Sequence, residues 1–230
     1  SPVLSNSQFE KFSYFFKKNI KILDCTFNIE ENLKERLEKL CSEAEIAVRE
    51  GAKHLVLTDK EINQKKAQIP MILAIGAVNS RLTNLGIRGF VSINVQTSEA
   101  LDTHSFAVLL GVGATTINPY IALDSIYQRH EKKLFGKLNF EECIYKYVKS
   151  IDNGLLKIMS KMGISVLSAY RGGCNFESVG LSRALVSKYF PGMVSRISGI
   201  GIFGIEKKIR ALHKKAFQKN VSILPIGGIY

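Results

Sequence analysis

The chain has 230 residues, 46% hydrophobic and 23% charged, a globular composition that excludes a disordered or fibrous polymer and suffices for one large α/β domain or two small ones. Its longest apolar runs, IPMILAIGAV and FAVLLGVGA, are too short to cross a bilayer, and no basic leader with an apolar centre is expected at its start. The net charge of +12 is uneven: residues 1–128 hold 14 Lys+Arg and 14 Asp+Glu, whereas residues 129–230 hold 18 against 6.

Residues 1–20 carry Phe9, Phe12, Tyr14, Phe15 and Phe16 and are expected to approach the domain with these rings buried against a neighbour. ILDCTF (22–27) reads as a strand. Over residues 31–50, Leu33, Leu37, Leu40, Cys41, Ala44, Ala47 and Val48 fall on one helical stripe. Gly51 ends that helix, because a residue without Cβ accepts the left-handed conformation, and the strand HLVLTD follows. IPMILAI (69–75) predicts a further strand, and residues 77–85 a helix that reaches Gly86 and the strand GFVSINVQ. Ser98 through Leu110 predicts a helix running to Gly111 and Gly113, then the strand ATTINPY. Residues 121–138 read as a helix followed by a basic loop. Asn139 and Glu142 form an Asn-x-x-Glu capping pattern, opening a helix to Met162 that is followed by Gly163 and ISVLSAY, a predicted strand. Four helix–glycine–strand units in series predict parallel strands with crossover helices, in a barrel-like or an open, doubly wound sheet.

In such folds ligands gather at the carboxyl ends of strands. Those ends supply Thr58, Asp59, Gly76 to Asn79, Asn94, Gln96, Asn118, Ser168 and Arg171, a mostly neutral set without histidine and therefore a poor general acid–base site. GIGIFG (199–204) matches GxGxxG, but no acidic residue follows Glu206 to hold a ribose, so it reads as a glycine turn before the helix EKKIRALHKKAF. Asp102 and His104 stand two apart on a helix and point to different sides; His54, His130 and His213 are isolated. The cysteines at 25, 41, 143 and 174 form no CxxC pair, which implies reduced thiols in a cytoplasmic protein with neither a disulfide framework nor a zinc site. Cys174 has no nearby histidine to act as its base. In RGGCNFESVGLS (171–182), Arg171 offers a planar fork to a carboxylate or phosphate, or else pairs with Glu177 in a structural elbow.

That segment carries a resemblance. KMGISVLSAYRGGCNFESVGLS is similar to the end of the central domain of the glutamate synthase large subunit, and LCSEAEIAVREGAKHLVLTDK, IPMILAIGAVNSRLTNLGIRG, HSFAVLLGVGATTINPYIALDS, SRISGIG and LPIGGIY extend the likeness over residues 2–230. Asn79, Ser80 and Ser105 stand where the family tends to have histidines. The resemblance implies an enzyme that makes two glutamates from glutamine and 2-oxoglutarate. An amidotransferase domain with an N-terminal cysteine releases ammonia, which passes through a tunnel to a domain holding FMN and a 3Fe–4S cluster. NADPH, NADH or ferredoxin serves as reductant. It also implies that residues 1–230 form a degenerate, barrel-like α/β domain linking the two active sites, with residues 214–230 leading toward the FMN domain.

This chain begins with Ser1 and has no cysteine triplet at cluster spacing, so it is expected to bind no cofactor and to hold no catalytic residue. Ammonia delivery needs a water-poor path without carboxylates. Gly76, Ala77, Asn79, Ser80 and Asn94 are therefore assigned to the tunnel wall. Arg171, Gly172, Gly173 and Glu177 are assigned to the interface with the FMN domain. Two other readings stay open: a stand-alone α/β enzyme or sensor holding a small anion near Arg171, and a basic nucleic-acid adaptor.

Overall fold

A computed structural model describes residues 1–218. Its main sheet has four parallel strands in the order β1 (Ile20–Asp24), β3 (His54–Thr58), β5 (Ser92–Gln96) and β6 (Thr116–Asn118). The register aligns Ile22 with Val56, Val56 with Asn94 and Asn94 with Thr116. These strands follow one another across the sheet in chain order, the winding of a barrel segment rather than of a sheet that reverses at a switch point. Among the described residues the sheet does not close, and the fold is an incomplete, barrel-like α/β domain. Beside β6, Val3 forms a parallel bridge to Ile117.

The helices α2 (Leu33–Arg49), α3 (Met71–Asn84) and α4 (Thr103–Gly111) share the main core with Leu23, Leu55, Leu57, Ile93, Val95 and Ile117, which alternate along the strands and so occupy one face. On the opposite face, the rings of Phe12 and Phe16 lie 5.2 and 4.1 Å from that of His54. Both aromatics belong to the segment of α1 (Asn6–Phe15) and its cap, which starts with a Ser5–Gln8 capping box. Within this chain only Phe9 of this segment is buried, while Tyr14 and Phe15 are 84% and 79% exposed.

Most predicted boundaries hold. Asn32 caps α2 by accepting from Lys34 N and Glu35 N, and Gly51 ends it at φ 97°. Asn139 and Glu142 form the expected capping box on α6 (Phe140–Lys161), and α5 (Tyr120–Glu131) precedes the basic loop.

Three strand expectations fail. ILDCTF divides at Cys25: β1 stays in the main sheet, and β2 (Thr26–Asn28) pairs antiparallel with β4 (Lys66–Gln68). IPMILAI opens helix α3, whose apolar run continues through Val78, beyond the length of a strand, and is enclosed on most sides, so no polar stripe marks its period. ISVLSAY forms the short helix α7 (Leu167–Tyr170), because Ile164, Leu167 and Tyr170 turn inward at intervals of three. Gly76 to Asn79 therefore lie in a helix, and Ser168 and Arg171 follow no strand.

The chain continues through β7 (Glu177–Leu181), α8 (Arg183–Tyr189), β8 (Val194–Ile200) and α9 (Ile202–Ala216). Strands β7 and β8 form a separate parallel pair. The expected exit segment, 214–230, falls outside the described residues from 219 onward.

Candidate functional site

The carboxyl edge of the main sheet is closed by hydrogen bonds among neutral side chains. Thr58 Oγ1 donates to Gln96 Oε1 (3.1 Å), and Gln96 Nε2 donates to Asn118 Oδ1 (3.1 Å). Asn118 Nδ2 then donates to Leu4 O (3.0 Å) and Asn6 Oδ1 (2.9 Å). The buried Asp59 accepts from Thr97 Oγ1 (2.7 Å), Ser98 N (2.9 Å) and Ser98 Oγ (3.0 Å), so its carboxylate is occupied. Burial, reinforced by the Asp59 charge, raises the Tyr120 hydroxyl above its ordinary range and keeps it neutral.

The five tunnel-wall candidates do not form one surface. Asn94 lies mid-strand and fully buried, donating to Leu55 O (3.3 Å) and Ser92 Oγ (2.9 Å) and accepting from Thr116 Oγ1 (2.8 Å). Gly76 permits close approach of the end of α8: a Cβ there would sit 2.8 Å from Tyr189 O and run into the Phe190 ring. Ala77 is buried in the core. Asn79 and Ser80 do line a common cleft of about 230 Å³, facing Gly111, Gly172, Cys174 and Phe190.

Of the interface candidates, Gly172 takes φ 72° and donates its N–H to Gly111 O at 2.8 Å. A Cβ on Gly173 would meet the Asn175 side chain at 3.0 Å. Glu177 pairs with Arg196 (3.6 Å), so the Arg171–Glu177 elbow is not made. Instead Arg171 Nε is shielded and has no hydrogen-bond partner among the described residues.

The remaining motifs have structural roles. Asp102 caps α4 by accepting from Ser105 N, and the hydrogen bonds it accepts from the Ser105 hydroxyl and then from Ser105 N hold its carboxyl below the usual range. His54 Nδ1 lies 2.7 Å from Ser92 Oγ, and burial lowers the ring's proton affinity. His213 Nε2 reaches Asn63 O (2.8 Å), and His130 lies 3.8 Å from Glu131. Within GIGIFG, Gly199 lies in β8 with its missing Cβ 2.8 Å from Gly180 Cα, and Gly201 precedes α9. Glu206 accepts from Leu33 N (2.9 Å), linking α9 to the start of α2. Cys174 is exposed at φ 51°, while burial pushes the Cys41 thiol up to about 11. Among the described residues, no three His, Cys, Asp or Glu side chains could hold a metal, so they offer no ligand set for an iron–sulfur cluster. No described helix is long and apolar enough to cross a membrane.

Two residues escaped the sequence reading. Glu99 accepts from Met71 N (2.6 Å) and Gln68 Nε2 (2.9 Å) at the start of α3, and burial pushes its carboxyl up to about 7. Arg88 spans Asn79, Val91 and Gly113 from the 3-10 turn Arg88–Phe90. A lone cation in LGIRGF carries no signal of this, since its acceptors are neutral and scattered along the chain.

The family model described as "Glutamate synthase central domain" matches residues 1–182. The chain belongs to that family. The glutamate synthase [NADPH] large chain of Azospirillum brasilense is 51% identical over 233 residues, covering 100% of this chain and 15% of its own length. That of Bacillus subtilis is 38% identical, covering 96% of this chain and 14% of its own length. The ferredoxin-dependent glutamate synthase of Pyropia yezoensis is 36% identical, covering 95% of this chain and 15% of its own length. The central-domain chain thus spans about one seventh of these relatives, which are named for different reductants.

Proposed function

We propose that this central domain is the linking element of a glutamate synthase. It would hold an amidotransferase domain and an FMN domain in fixed relation and contribute to the wall of the ammonia path between them. The observation that carries the reading is the closed edge of the main sheet, where Thr58, Gln96 and Asn118 spend their polar atoms on one another and on the leading segment. An α/β enzyme keeps reactive groups free at that edge; a spacer needs them satisfied. FMN, the 3Fe–4S cluster and the turnover of glutamine, 2-oxoglutarate and reductant (a nicotinamide or ferredoxin) are assigned to the rest of the longer protein. The free thiols support a reducing, cytoplasmic setting.

For the ammonia path, the proposal is carried by Asn79 and Ser80, which line the cleft beside the Gly172–Cys174 turn. The expected outcome for Asn79→Leu in the full-length enzyme is a several-fold fall in glutamine-dependent glutamate formation, with ammonia-dependent formation largely kept. The second rate controls for folding and for the FMN site. An unchanged ratio of the two rates removes these residues from the path and leaves only the linking role.

A further inference from the structure

Between helices α3 and α4 and the β7–β8 pair lies an apolar cleft of about 370 Å³, within the range of roughly 300–1,000 Å³ that binding pockets occupy. Its walls include Ile72 and Leu73 of α3, Val108 of α4, Phe176 and Phe190. Both rings rest on glycines: a Cβ on Gly76 would run into Phe190, and one on Gly111 into Phe176. The rings are thus wedged against helix backbone, which makes the cleft a built feature rather than a gap between loose side chains.

On its other side the cleft follows β7. Glu177, Ser178 and Val179 all line it, although successive residues of a strand point to opposite faces. It therefore runs along an edge of the strand, the opposite edge being taken by β8. Outside that ladder, Glu177–Leu181 make no backbone–backbone hydrogen bond among the described residues. Ser178 is 6% exposed, and its Oγ is buried with no partner among the described residues, whereas buried hydroxyls are ordinarily hydrogen-bonded. The only titratable groups lining the cleft are His104 and Glu177, and Glu177 faces Arg196 at 3.6 Å, so the cleft suits an uncharged guest.

The pairing itself says what kind of guest. Parallel strands belong to larger sheets with both faces covered, and a pair alone is incomplete. In β8, Val194, Ile197 and Ile200 stand opposite Glu177, Val179 and Leu181, so extra residues bulge β8 and blunt its outer edge. The edge of β7 before Gly180 (φ 79°) is the one left to accept a strand. A diffusible ligand would find one hydroxyl to orient it; a polypeptide finds that hydroxyl and a strand edge together.

We propose that an extended, uncharged segment of the longer protein, from outside residues 1–230, pairs with β7 at Glu177–Val179. It seats one apolar side chain in the cleft and places a backbone amide against the Ser178 hydroxyl. This rests on the linking-domain reading, and the relatives have chain to supply the segment, since this chain covers 15% of the one from Azospirillum brasilense.

The test places the photoreactive residue p-benzoylphenylalanine at position 179 of the full-length protein, where Val179 is 66% exposed in this chain, and maps its crosslinks by mass spectrometry. The expected product joins position 179 to one short stretch outside residues 1–230 of the same chain. Val108→Trp, which fills the cleft from α4, should cut the yield roughly tenfold, while Val108→Ala keeps it. If Val108→Trp does not fold, Ser178→Ala replaces it and should speed amide exchange at residues 177–181. An unaltered yield with Val108→Trp, or unaltered exchange with Ser178→Ala, overturns the cleft as the seat. No crosslink, or one confined to residues 1–230 or to a second copy, overturns the segment, as does a fixed added mass of a small molecule in its place. The rate ratio of Asn79→Leu is measured separately, so the linking-domain reading can stand when the crosslink is missing.

Discussion

Glu99 shows how one side chain can set the pH response of a helix end. Its carboxylate receives Met71 N and Gln68 Nε2, yet burial raises it from an ordinary 4.5 to about 7, with the nearby Asp59 charge adding to the rise. The folded state therefore holds a proton that the unfolded chain has released between those two values. Stability from this group is complete below about pH 4.5 and is lost as pH rises toward and through 7. The contribution amounts to about 3 kcal/mol. Glu99→Gln should flatten this fall, checked by urea unfolding at several pH values. At the same scale, the legible residues were those whose role is local. Asn139 lies beside the backbone it caps, so its Asn-x-x-Glu spacing reveals it, whereas Asn32 and Asp102 cap just as locally but without a spacing that was read. Arg88 and Glu99 act across the fold, on Gly113 and Met71, and nothing near them in sequence marks their partners.

Among the elements, α3 carries the most information. Pro70 stands at its N-cap position and Glu99 receives the N–H of its first residue, which fixes where the helix starts. Its interior gives up the polar stripe that would have revealed a helical period, and this is why IPMILAI reads as a strand. Gly76 then lets the end of α8 press on the helix backbone. Gly76→Ala should cost about 1–3 kcal/mol through overpacking, despite alanine's better helix propensity, as a lower urea midpoint would show. The glycine-ended helices α2 and α6 were readable because an amphipathic stripe and a terminal glycine coincide in them. ISVLSAY misled because a three-residue inward period in a short apolar segment mimics the branched content of a strand.

For the molecule as a whole, the series of helix–glycine–strand units foretold the parallel sheet but not its incomplete closure, which depends on how many strands assemble. The β7–β8 pair lies apart from that sheet and leaves Val179 and Ile197 66% and 61% exposed. A linking domain would cover such a ribbon with a neighbour. Amide exchange in residues 177–200 should therefore be markedly slower in the full-length protein than in this chain alone; equal rates would argue against a covered ribbon.

The leading segment joins the sheet at the edge farthest from β1, through Leu4 N to Ile117 O at 2.9 Å and Ile117 N to Pro2 O at 2.8 Å. Asn118 extends the same attachment sideways, holding Leu4 and Asn6 on one flank and Gln96 on the other. A tug on residues 2–6 along the strand axis is consequently resisted in shear, with these bonds strained together rather than unzipped in turn. Motion arriving there would travel as a lateral nudge from β6 to β5 and on to β3, making the polar rim a stiff coupling rod between the two sides of the sheet.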